Sequence, residues 1–282
     1  MSERFVVGVD GSSPSRAALE WALDRAERDP HPVVLVHVTD DDWGNMGASF
    51  REAAMRAGNE LLAGLLERTR AEHPTVDLAT ALISGSTAWA LGSFARPDDL
   101  LVIGTHKTGF LNGRVLGSRS VQVAAVAVCD VMIVPEVDLR FREGVVAGID
   151  RVETASVVAT AAAREAARLD EELVLLHATA GAASDGAARP PLSTAAEAVR
   201  AHTPLLPLRS RVSNRPAAEA LLDVSRDKSL LVLGPGSRRA DRSPIGSVVH
   251  DVLMNIATPV MIVHRGSVAA DHQAVVDVAD VG

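Results

Sequence analysis

Short, nearly continuous apolar runs rich in Val and Ile alternate along this chain with longer stretches whose apolar residues recur at helical spacing. Phe5–Val9, Pro32–Val38, Leu100–Gly104 and Val131–Val134 are runs of the first kind. They read as strands buried on both faces of a parallel sheet. Between them, Gly11-Ser12-Ser13-Pro14 supplies a turn, a Ser N-cap and a Pro for a first helical turn. Ala18, Trp21, Ala22 and Ala26 then line one face of a helix running to about Asp29. A second helix is predicted from about Ser49 to Glu72, with Leu61, Leu62, Leu65 and Leu66 on its apolar face, and a further strand from Val76 to Ile83. Helices over Thr87–Ala95 and Ser118–Val128 complete the series. Regular alternation of strand and helix predicts an open parallel α/β sheet with helices on both faces.

The pattern occurs twice. Phe5-Val6-Val7-Gly8-Val9-Asp10 returns as Val145-Val146-Ala147-Gly148-Ile149-Asp150, and Leu100-Leu101-Val102-Ile103-Gly104 as Leu230-Leu231-Val232-Leu233-Gly234. The strand ending His37-Val38 returns ending His177-Ala178, and Val131–Val134 returns as Val260–Val263. The offset falls from 140 residues at Asp10/Asp150 to 130 at Gly104/Gly234, so the second copy is ten residues shorter in its middle. Two domains are expected, 1–140 and 141–282, joined by a short polar junction. The tail from Gly266 to Gly282 has mixed polarity and is assigned to no element.

Composition narrows the class. The 282 residues carry a formal charge of −8, with three Trp, five Phe and no Tyr. An acidic chain so poor in stacking aromatics argues against nucleic-acid binding. No apolar run approaches the length of a membrane span, and the first strand begins too near residue 1 for a signal sequence, so a soluble cytoplasmic protein is expected. The single cysteine, Cys129, excludes a disulfide framework and reads as a packed thiol. The nine histidines form no metal-ligand spacing. His37 and His177 hold matching strand positions and read as core or ligand-flanking residues, with core favoured, and Asp40-Asp41-Asp42 reads as a solvated loop.

In open parallel sheets ligands bind beyond the carboxyl ends of the strands. Here those ends carry Asp10, Val38, Gly85 and Gly104. A glycine-bearing stretch from Thr105 to Gly117, with Lys107 and Arg114, leads to Ser118 at a helix start. Unpaired N–H groups and partial positive charge at a helix N-terminus suit phosphate. The Asp10 carboxylate has the opposite preference, accepting from an amino group or ribose hydroxyls, although an Asp in Asp-Gly-Ser taken singly is more often a turn or capping residue. An acceptor at one strand end and an anion cradle at another suggest a nucleotide.

Val7-Gly8-Val9-Asp10-Gly11-Ser12, the strand Val102-Ile103-Gly104 and the loop ending Gly117-Ser118 resemble the universal stress protein family, whose ATP-binding members carry a Gly-x2-Gly-x9-Gly-Ser/Thr loop. Each half of the chain is similar to one complete domain, so the whole looks like a tandem member. The resemblance implies a five-stranded parallel sheet in the order 3-2-1-4-5 in each half. It also implies an ATP site formed by Asp10, Val38, Gly104, Gly117 and Ser118, with Ser120 as a further contact. The first copy departs in placing Lys107 at the loop's second glycine. Its ammonium suits phosphate, while its Cβ disfavours a backbone of positive φ. In the second copy Asp150, Gly234, Gly236, Gly246 and Ser247 stand at the corresponding positions, but Arg151-Val152-Glu153 follows the acidic residue and the glycine spacing is shortened.

The expected function is ATP-dependent regulation in the stress response through nucleotide occupancy and a protein partner. Any Mg2+ would arrive on the ATP phosphates. No positioned general base is evident, so at most very slow hydrolysis is expected and no dedicated enzyme. The alternative is a nucleotide-free interaction or dimerisation module with degenerate phosphate loops. The apolar closing strands Val131–Val134 and Val260–Val263 are expected at sheet edges, where they can pair within one chain, and homodimerisation of whole chains is compatible with the sequence.

Overall fold

A computed structural model of the protein describes residues 4–39, 48–105, 118–179, 185–236 and 245–264. These residues fall into two compact units, the first closing at Glu136 and the second opening at Val137.

In the first unit, β1 (Phe5–Gly8), α1 (Ser13–Arg28), β2 (Val33–Thr39), α2 (Ala48–Glu72), β3 (Leu78–Ser84), α3 (Thr87–Phe94), β4 (Leu100–Thr105), α4 (Ser118–Val126) and β5 (Asp130–Pro135) follow one another. The strands are parallel in the order β3-β2-β1-β4-β5. This is the expected topology. Val-rich β1 sits centrally, and Phe5, Leu35, Leu100, Leu101, Met132 and Ile133 are among the fully buried side chains. Helix α1 begins as its sequence dictates: the Ser12 hydroxyl accepts from Ser15 N–H at 3.3 Å, and Pro14 occupies the first turn, where a missing N–H costs nothing.

Boundaries shift by one or two residues from expectation, α4 ending at Val126 rather than Val128. β3 starts at Leu78 rather than Val76, because Pro74 stops α2 and the next residues form a turn in which Val76 N–H donates to the His73 carbonyl. β3 is also largely exposed, as the edge of its sheet.

The second unit repeats the series with β6 (Val145–Gly148), α5 (Val152–Leu169), β7 (Leu173–Ala178), α6 (Asp185–His202), β8 (Leu208–Ser213), α7 (Ala217–Ser225), β9 (Leu230–Leu233), α8 (Ser247–Asn255) and β10 (Val260–Ile262). Its order is β8-β7-β6-β9-β10, again all parallel. The edge strand β8 carries Arg209 and Arg211 outward, and Arg209 pairs with Glu172 at 2.5 Å. Charge on an outer strand discourages sheet-to-sheet association. Among the described residues no helix is long and apolar enough to cross a membrane.

Candidate functional site

Each unit has a cavity at the carboxyl ends of its strands, about 200 Å3 in the first and about 220 Å3 in the second. The ends of β1, β2 and β4, the starts of α1 and α3 and the first turn of α4 bring Asp10, Val38, Gly104 and Ser120 to the first cavity. Lys107 and Gly117 lie outside the described residues, as does Arg114. Ser118 opens α4, its side chain likewise outside the description.

Asp10 proves to be both a turn residue and a cavity residue. Its Oδ1 accepts from Ser12 N–H at 2.9 Å, which shapes the turn into α1, while the side chain stands exposed at the cavity. Its own N–H donates to the Ser15 hydroxyl at 3.3 Å. Burial pushes the carboxyl's pKa up, but hydrogen bonds from Ser12 and Ser15 and the neighbouring His37 outweigh it and hold the group below the usual carboxylate value. The cavity therefore presents an ionised acceptor at neutral pH.

Gly104 has a packing reason that the phosphate argument did not supply. A Cβ there would lie 2.0 Å from the Pro14 carbonyl oxygen, so only glycine lets α1 start directly against β4.

Sequence reasoning missed Arg119, which lines the first cavity from the first turn of α4 with its side chain exposed. The available signal was its place directly after Ser118, where a helix N-terminus already favours anions. Ser120, next to it, is 3% exposed. His37 lines the cavity as well, whereas His177, at the matching strand position, is buried.

The second cavity gathers Asp150, Gly234, Gly236, Gly246 and Ser247, every residue expected of it. Its chemistry differs in three ways. Arg151 is the N-cap of α5, makes no side-chain capping bond, and pairs instead with Asp150 at 3.3 Å. Val248 and Val249 line the start of α8, where α4 carries Arg119 and Ser120. The Gly246 N–H already donates to the Pro235 carbonyl at 3.1 Å. Gly236 has φ +81, and a Cβ on it would meet Gly246 Cα at 2.8 Å, so the glycine spacing here brings the two ends of the loop together. Among the described residues no group of three His, Cys, Asp or Glu side chains could hold a metal ion.

Residues 1–135 match the model of the universal stress protein family. A universal stress protein of Mycolicibacterium smegmatis is 33% identical over 131 residues, covering 46% of this chain and 44% of that protein. One from Mycobacterium tuberculosis is 29% identical over 196 residues, 62% of each. The chain thus spans about half to three-fifths of the length of these relatives. The crystal structure of a universal stress protein from Archaeoglobus fulgidus shares the fold over 94% of this chain and 97% of its own, with a TM-score of 0.76 at 16% identity. The first half thus matches the universal stress protein family in sequence, and the second half repeats its sheet order.

Proposed function

We propose that the protein binds ATP in its first half and acts in the stress response by presenting the occupied or empty state to a protein partner. The observation that carries this reading is the division of chemistry around one cavity. Asp10 and the strand end at Val38 offer an acceptor and backbone groups suited to a base or ribose. The first turn of α4, with Arg119 and Ser120, suits phosphate. Mg2+ would enter with the phosphates rather than on a protein site.

Catalysis is no part of the proposal beyond slow hydrolysis. The titratable groups on the described wall besides Arg119 are Asp10 and His37, with Asp10 Oδ1 taken by Ser12 N–H and His37 Nδ1 by the Val9 carbonyl, and the proposal gives neither the role of general base.

For the second half a nucleotide-free interaction module is the better reading. Arg151 pairs with Asp150 at 3.3 Å, and valines occupy the helix start that would face phosphate.

Equilibrium binding of ATP to the wild type and to Asp10→Asn tests the proposal. Asparagine keeps an oxygen for Ser12 N–H, so the turn survives, but it replaces the other carboxylate oxygen with a donor. Weakening of at least about tenfold is expected for loss of a charged hydrogen bond. Equal affinities would place the nucleotide elsewhere.

A further inference from the structure

Both halves end the pairing of their two central strands by the same side-chain device. In the first, β1 and β2 run in register from Phe5↔Val33 to Gly8↔Val36, and Val9 N–H donates to the Val36 carbonyl at 2.9 Å. The next bond of an evenly spaced parallel ladder would run from Val38 N–H to the Val9 carbonyl. Among the described residues that bond is not formed. The imidazole of His37 takes the carbonyl instead, with Nδ1 2.7 Å from Val9 O. In the second half the register ends at Gly148↔Leu176, Ile149 N–H donates to Leu176 O at 2.8 Å, and His177 Nδ1 lies 2.7 Å from Ile149 O.

Because a carbonyl oxygen only accepts, Nδ1 carries the proton in each ring. The contact therefore persists whether the imidazole is neutral or charged. The His37 ring is also held from outside the sheet. A Cβ on Gly58 of α2 would lie 2.9 Å from His37 Cδ2 and 2.7 Å from Leu82 Cδ1, so the helix meets the ring and β3 at a glycine that leaves them room.

The consequence falls on the next residue. Along β2 successive backbone groups point alternately to β3 and to β1. Val33 N–H bonds to Asp77 O on the β3 side, and Val36 O bonds to Val9 on the β1 side. By that alternation the N–H and C=O of Val38 both point toward β1, beyond the last ladder bond, where Val38 lines the cavity. Ala178 has the same place in the second cavity.

We propose that His37 and His177 are positioning residues which cap the β1 and β6 carbonyls and thereby leave the backbone N–H and C=O of Val38 and Ala178 as an open donor–acceptor pair. Such a pair fits a flat heterocycle carrying an acceptor beside an amino donor, as in an aminopurine. The choice of that ligand class for the first cavity rests on the ATP reading above, but the backbone device does not.

Residue-resolved amide exchange on the ligand-free full chain tests the device, and ATP titration of the same samples tests the ligand. In the wild type the Val38 and Ala178 amides should exchange at least about tenfold faster than those of Val36 and Leu176, which sit within the ladders. His37→Leu should release Val9 O to the backbone and slow the Val38 amide roughly tenfold, the scale of one hydrogen bond. His37→Asn, whose amide can still donate, should stay near the wild type. ATP should be preferred over inosine triphosphate, whose ring presents a donor and an oxo group instead, and His37→Leu should erase the preference while His37→Asn keeps it. Slow exchange of both amides in the wild type would overturn the proposal, as would fast Val38 exchange persisting in His37→Leu. Should that variant fail to fold, His177→Leu and the Ala178 amide supply the same comparison. The exchange pattern appearing as expected, with no ATP bound by the wild type, would uphold the device and overturn the nucleotide reading.

Discussion

The carbonyl oxygen of Pro14 stands so close to Gly104 that a Cβ on the glycine would lie only 2.0 Å from it, with the Pro14 carbonyl carbon at 2.2 Å. The first turn of α1 and the end of β4 thus share one wall of the first cavity, and their approach fixes where Asp10 and Ser15 stand. In the second half the matching Gly234 is far less confined, its added Cβ meeting only Val158 Cγ2 at 3.2 Å. Gly104→Ala should therefore destabilise the protein by about 3 kcal/mol, since backbone cannot step aside as a side chain can. Gly234→Ala should cost less than about 1 kcal/mol, because the valine methyl can shift. Urea unfolding of the full chain distinguishes the two, and equal losses would contradict the packing account.

Arg119 should act on phosphate and not on the base. Arg119→Ala is expected to weaken ATP by about tenfold, the scale of a charge-assisted hydrogen bond. It should leave adenosine nearly unchanged. Added salt should shrink the ATP effect, as the guanidinium is exposed. A parallel loss for both ligands in competition binding would assign Arg119 to folding or to the nucleoside.

The depressed pKa of Asp10 sets a pH window. A carboxyl whose folded value lies below its unfolded one is ionised throughout and above the ordinary carboxylate range, and it becomes protonated only as pH falls through the lowered value. The ratio of wild-type to Asp10→Asn affinity for ATP should accordingly stay constant from pH 8 to about pH 5 and collapse only in stronger acid. A ratio already falling between pH 7 and pH 6 would mean that the carboxyl is not held in its ionised form.

Cys129 should be inert in the native protein. Burial foremost, with the negative charges of Asp99 and Asp130, pushes its thiol up to about 12, overcoming hydrogen bonds from the backbone. Alkylation at pH 8 should proceed only through unfolding and accelerate sharply in denaturant. The raised value also gives stability a pH dependence. The contribution is fully present below the unfolded thiol's pKa, near 9, and is lost as pH rises from there toward about 12. Cys129→Ser should flatten that decline in urea midpoints, and rapid labelling of the folded protein would refute the burial.

The fold was legible in the sequence because its strands are buried on both faces, so Val- and Ile-rich runs such as Val33–Val36 and Leu100–Ile103 stand out without any alternation. The edge strands were harder. β3 mixes Ala and Thr with Leu and Ile, and β8 reads Leu-Arg-Ser-Arg-Val-Ser, because strands with one neighbour need no continuous apolar character. At the site, Asp10 and Asp150 could be placed from the end of a strand alone. The burden on Gly104 and the pinch between Gly236 and Gly246 could not, since they arise from the approach of elements distant in sequence. The matching His37 and His177 were visible as a repeat, but the hydrogen bonds that distinguish a strand-capping imidazole from a core one appear only in three dimensions.

The central claim is that the first cavity holds one ATP while the second, with Asp150 paired to Arg151 and valines at its helix start, does not. Calorimetric titration of the full chain with ATP measures this directly through its stoichiometry. The account predicts saturation near one ATP per chain, with that binding weakened by Asp10→Asn and untouched by Asp150→Asn. Two equal sites, or no binding at millimolar ATP, would contradict it.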